Sequence, residues 1–110
     1  MKALYWQRGE ALDYINRTDN KIEANTVMVI GDRIGIAGTD IPAGQVGSVH
    51  VSGVFEMDKA DDAEIPIGKT VYLSDAGITA TAAEGSTTLA GFAAVTASAD
   101  AKKVFVKING

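Results

Sequence analysis

Short β-branched runs, each cut off by glycine, proline or aspartate within a few residues, fill the middle and end of this chain. That pattern leaves little room for helices and argues for a mainly β protein. In TVMVIGDRIGIAG, Val27, Val29, Ile30, Ile34 and Ile36 surround Gly31-Asp32, so two short strands joined by a reversal are predicted. Gly31 can adopt turn torsions that would strain its branched neighbours. QVGSVHV alternates most clearly. Val46, Ser48 and His50 share one face and Gly47, Val49 and Val51 the other, which predicts Val49 and Val51 inward and His50 toward solvent or a partner.

Ile41-Pro42-Ala43-Gly44 and Ile65-Pro66-Ile67-Gly68 repeat one form, each leading into a strand candidate. The likeness is local and too small to argue for a duplicated domain. A second region begins near Val54-Phe55-Glu56-Met57 and runs through KTVYL; SDAGITAT reads as a strand connection with a short extension after Gly77. TAAEGSTT reads as an exposed loop. In the terminal KKVFVKI, Val104 and Val106 oppose Phe105 across the pleat of a final strand. Two stretches could depart from the β pattern: Ala60 through Glu64, and AAVTASADA, each as a short helical turn. The N-terminal ALYWQRGEALDYIN is readable as an arm, an edge strand or part of an assembly interface.

At 110 residues the chain fits one domain. A formal charge of -4, from 10 basic and 14 acidic side chains, gives no broad attraction for nucleic acid or an anionic membrane. With no cysteine, thiolate catalysis, disulfides and cysteine-based metal sites are excluded. MKALYWQRGEALDYIN lacks the unbroken apolar core of a signal peptide, and no segment approaches the roughly 20 apolar residues of a membrane-spanning helix. The expectation is a soluble chain.

Four motifs invite chemistry. Gly68-Lys69-Thr70 suggests a phosphate-binding loop, but that loop requires a glycine where this chain has Ala63, and VYL after Thr70 reads as a strand where a helix is needed. Ser48 and His50 share a strand face, yet residues two apart on a strand are separated along its axis, and no link brings Asp32 or Asp40 to orient them. Asp58, Asp61, Asp62 and Glu64 lack the order of a calcium loop and read as an exposed acidic connection. Asn16-Arg17-Thr18 is a glycosylation sequon in form, read here as a polar turn. No catalytic, cofactor or metal site is expected. Tyr5 and Trp6 are instead anchors, packed in the core or against a partner, because their rings supply large contact area and keep a polar atom.

The succession VIGDRIGIAG, IPAGQVGSVHVSGVFEMDKA, IPIGKTVYLSDAGITAT, LAGFAAV and VFVKI resembles a family of small tailed-phage capsid cement or decoration proteins, sometimes labelled recombinase-like, over roughly residues 9 to 110. That resemblance implies a single β-barrel-like or β-sandwich-like domain over 9–110, preceded by an N-terminal arm over 1–8. It further implies a non-enzymatic structural protein that binds the major capsid protein of a preformed head and self-associates, as a homotrimer. Its place would be the virion capsid surface, after synthesis in the host cytoplasm. The alternative is another non-enzymatic module, a virion accessory or host-surface adaptor. On this reading Tyr5 and Trp6 form an assembly surface, with Phe55 and Met57 either supporting the fold or completing that surface.

Overall fold

The computed structural model describes residues 1–110 and contains nine strands and no helix. They are β1 (Ala11–Ile15), β2 (Val27–Ile30), β3 (Arg33–Ala37), β4 (Val46–His50), β5 (Val54–Asp58), β6 (Thr70–Ser74), β7 (Gly77–Thr79), β8 (Thr88–Ala93) and β9 (Lys103–Ile108). The expected reversal at Gly31-Asp32 is a two-residue hairpin: Ile30 pairs with Arg33, and Gly31 has φ 58°. The strands form two antiparallel sheets, β1-β4-β3-β2 and β5-β9-β8-β6-β7. This is a small β-sandwich. In the second sheet β7 turns back to meet the end of β5 through a single parallel bridge between Lys59 and Ile78, which curls the sheet over its core without closing a barrel.

The two expected helical turns do not form. Ile65 and Ala97 instead form an antiparallel bridge, exchanging two backbone hydrogen bonds of 2.9 Å. A helical turn fixes several torsions for one hydrogen bond, and neither segment has the length to recover that cost.

The same unit is built twice, which the short Ile-Pro-x-Gly likeness did not reveal. In the first half, Ile22 bridges Ile41, and each of the two is followed by a turn entering a strand. In the second half Ile65 bridges Ala97 and each is again followed by such a turn. All four turns close with one hydrogen bond: Thr26 to Glu23, Gln45 to Pro42, Lys69 to Pro66 and Ala101 to Ser98. Three carry a positive φ at the same place, on Asn25, Gly44 and Gly68. The pairing registers coincide as well. Ala11 faces His50 as Val54 faces Lys107, Met28 faces Gly35 as Val71 faces Gly91, and Ala37 faces Val49 as Ala93 faces Val106. The halves therefore share one order, first-fourth-third-second, and β7 is an insertion found only in the second.

Burial follows the alternation. Val49 is fully buried while Val46, Ser48 and His50 are exposed, and Val104 and Val106 are buried on either side of exposed Phe105. The larger core belongs to the second sheet and holds Met57, Ile65, Val71, Ile78, Val104, Val106 and Ile108, but Ile34 and Ile36 of β3 also enter it. Each fully buried isoleucine contributes about 1.5–3 kcal/mol relative to exposure. The smaller core groups Met28, Ala37, Ile41 and Val49, with Tyr14, Ile22 and Ile30 packed against it. The halves are thus locked through β3.

Candidate functional site

The groups that looked chemical in the sequence are used by the fold. Gly68, at φ 86°, makes the turn into β6; the Lys69 amide donates to Pro66, and its carbonyl accepts from Ala93. No helix N-terminus follows to hold phosphate. His50 stands beside Phe55, ring centroids 5.9 Å apart and tilted by 40°. Asp40 accepts from the Ala24 amide at 2.8 Å and lies 3.8 Å from Lys21, while Asp32 sits in the β2-β3 hairpin, so neither is paired with His50. The acidic stretch is divided among separate tasks. Asp58 binds Lys103, and Asp61 accepts from the Ala63 amide at 3.1 Å and the Thr79 hydroxyl at 3.4 Å. The hydrogen bond from Lys103 to Asp58, helped by the carboxylate charge, raises the lysine pKa.

Two asparagines carry the joints, Asn16, which the sequence placed only in a polar turn, and Asn109, which it did not single out. Asn16, in the sequon, is fully buried; its Nδ2 donates to the carbonyls of Asn20 and Ile41 at 2.8 Å each, and its Oδ1 accepts from the Thr18 amide and hydroxyl. It fastens the end of β1 to the first bridge. Lys59 holds the equivalent place after β5, and its Nζ reaches the Ser98 and Ala99 carbonyls beside the second bridge. Asn109 ties the halves together: Nδ2 donates to Ile34 and Val51 carbonyls at 2.8 and 2.9 Å, and its own amide donates to Ala90 at 2.8 Å. An asparagine amide bonded to Ile34 takes the place of a strand neighbour where β4 has ended.

What remains is apolar surface. Residues 1–10 form no strand, and Leu4, Tyr5 and Trp6 are 92%, 84% and 88% exposed, so these side chains touch little of their own body. Phe55 is half-buried between the larger core and His50. Met57 is buried in that core and supports the fold. On the outer face of the first sheet Ile15 lies opposite Val46, both exposed. At the equivalent place of the second sheet, charged Asp58 and Lys103 face each other. Beneath the first sheet an apolar groove of about 300 Å³ opens between Leu12, Ile30, Arg33, Val51 and Asn109.

A family model described as phage cement protein matches residues 6–108 of the 110-residue chain, from Trp6 to the end of β9. No curated protein and no solved structure matches the chain.

Proposed function

The chain belongs to the phage cement protein family, and from that premise we propose that it is a non-enzymatic trimer that binds the outside of an assembled tailed-phage head and bridges neighbouring subunits of the major capsid protein. Its residence is the virion surface, reached after synthesis in the host cytoplasm. The observation that carries this reading is the exposed apolar arm. Leu4, Tyr5 and Trp6 leave a large aromatic surface in water on a segment with no seat on its own body. Contiguous apolar surface of this kind marks a site that another chain covers.

The assembly surface comprises Tyr5, Trp6 and the exposed side of Phe55, while Met57 holds the strand beneath it. Several weak contacts on linked copies then act together: losing one leaves the others to hold the molecule at high effective concentration, so the shell is reinforced without any strong single contact.

The test is co-sedimentation of the purified chain with isolated mature heads. Binding is expected to saturate. Trp6→Ala is expected to weaken it at least tenfold, equivalent to about 1.4 kcal/mol, because central tryptophans dominate interface energetics. The variant should stay folded, since Trp6 packs against little of its own domain. Unchanged affinity in a folded Trp6→Ala variant would remove the arm from the binding surface. Binding to a peptide or glycan without attachment to heads would favour an adaptor.

A further inference from the structure

Comparing the halves shows a strand missing from the first. In the second half β7 lies beside β6, with Leu73 opposite Ile78, and Ile78 is buried in the larger core. By the shared register, Val29 and Ile30 of β2 correspond to Tyr72 and Leu73 of β6. Yet β2 has no neighbour on its outer side. The face that Ile78 helps to seal in the second half corresponds to the open groove under the first, where Ile30 is half-buried and Leu12 is 40% exposed.

The β2 edge is also unguarded. Natural edge strands are blunted by charge, proline or brevity. β1 contains Asp13, β5 contains Glu56 and Asp58, and β7 spans only 3 residues, whereas β2 reads Val-Met-Val-Ile. Its amides are arranged to accept a strand. The Ala37 amide donates to the Thr26 carbonyl, which sets Thr26, Met28 and Ile30 to bond toward β3. Val27 and Val29 therefore direct their backbone groups outward.

We propose that the N-terminal arm of a second copy fills this place, with Leu4–Trp6 lying along β2 as a fifth strand and Leu4 and Trp6, on one face of it, covering the groove. The segment has the required chemistry: it belongs to no strand or helix of its own, carries Leu4 and Trp6 on alternate positions and is exposed on its own body. Overall charge draws the arm toward the body of another copy: residues 1–8 carry Lys2 and Arg8 and no acid, while the remainder carries the other eight basic residues against all 14 acids. Arg33 lines the groove, where a guanidinium can meet the face of Trp6. Each copy gives one arm and receives one, a head-to-tail contact that closes into a ring when the rotation allows. This rests on the self-association part of the proposed function and is tested without heads.

Trp6 is the only tryptophan, so its emission reports the state of the arm directly. In sedimentation velocity across a concentration series, the full chain is expected to form a discrete closed oligomer, with Trp6 emission moving to shorter wavelength as it forms. Val29→Pro removes an outward amide at an edge position that tolerates proline, and is expected to stay folded, monomeric and red-emitting. Trp6→Ala is expected to be monomeric as well; lying on the arm, it keeps the test available if Val29→Pro fails to fold. Mixed together, the two variants should yield a 1:1 heterodimer, since one retains the arm and the other the edge. Three results would overturn the inference: a full chain that stays monomeric, an oligomer indifferent to both substitutions, or a blue-shifted monomer at every concentration, which would place the arm in its own groove. A monomer that still cements heads would overturn it together with the trimer of the proposed function, while leaving attachment to the head standing.

Discussion

Gly91→Ala is expected to remove at least about 3 kcal/mol of a total stability of roughly 5–15 kcal/mol, a large loss for a single methyl group. Two effects coincide at this residue. Its φ is 148°, a conformation that side chains with a Cβ rarely adopt, and an added Cβ would fall on the Lys107 carbonyl with the Asn109 amide nitrogen only 3.1 Å away. These are backbone atoms of β9 and the residue beyond it, so nothing nearby can rotate aside. The register between β6 and β8 also shifts here, between Val71 and Tyr72, as a bulge that glycine permits.

The duplicated fold supplies the controls. Gly35 occupies the equivalent place in the first half, but its φ is not positive and the two atoms closest to an added Cβ would be in side chains, Val49 at 2.5 Å and Ile30 at 2.7 Å, with the His50 carbonyl at an ordinary contact distance of 3.4 Å. Gly35→Ala should therefore cost less, about 1–3 kcal/mol of overpacking. Gly44 has φ 78° with open space around it, so Gly44→Ala should lose only about 1–2 kcal/mol from the left-handed backbone. Urea unfolding of the three variants would rank them. Gly91→Ala no less stable than Gly44→Ala would mean that the close approach of β8 to β9 is wrong.

Ile34→Ala is the second large effect. Ile34 is fully buried, belongs to the first sheet, and packs in the core of the second. Truncating a buried isoleucine costs about 2–5 kcal/mol, because the lost transfer energy adds to a cavity that surrounding groups only partly refill. The neighbours along β3 and β8 are held by backbone pairing, and Asn109 fixes the Ile34 backbone itself, so relaxation is limited. The melting midpoint should drop by roughly 10 °C. It should drop as one transition, since the residue is shared by both halves. Two separable transitions, with only the first half affected, would contradict a core that unites the sheets.

Local features of this fold were legible because they depend on neighbours in sequence. The Gly31-Asp32 reversal, the inward Val49 and the Val104-Phe105-Val106 alternation follow from turn torsions and the pleat alone. The duplication was not legible, because its four turns share a hydrogen bond and not a residue pattern. Asn25 stands where Gly44 and Gly68 stand, Ala97 where Ile41 stands, and the inserted β7 breaks the spacing between the halves. Nor could composition reveal Asn16 and Asn109 as joints, because a polar side chain is buried only where distant carbonyls converge on it.

The residues proposed for the assembly surface divide along the same line. Tyr5 and Trp6 stood out by ring size alone, whereas the burial of Met57 depends on β9 and β5 meeting in register, with Met57 opposite Val104. The groove under β2 is the furthest from sequence. It exists because a strand present in one half is absent from the other, a comparison that requires both halves in three dimensions.

The cement role is tested most directly by cryo-electron microscopy of native empty heads incubated with saturating protein. The expected reconstruction shows discrete density on the outer surface, repeated wherever the same neighbouring shell subunits meet, with each copy touching more than one subunit and its N-terminal arm ordered. A head surface that stays bare at saturating protein would contradict the account.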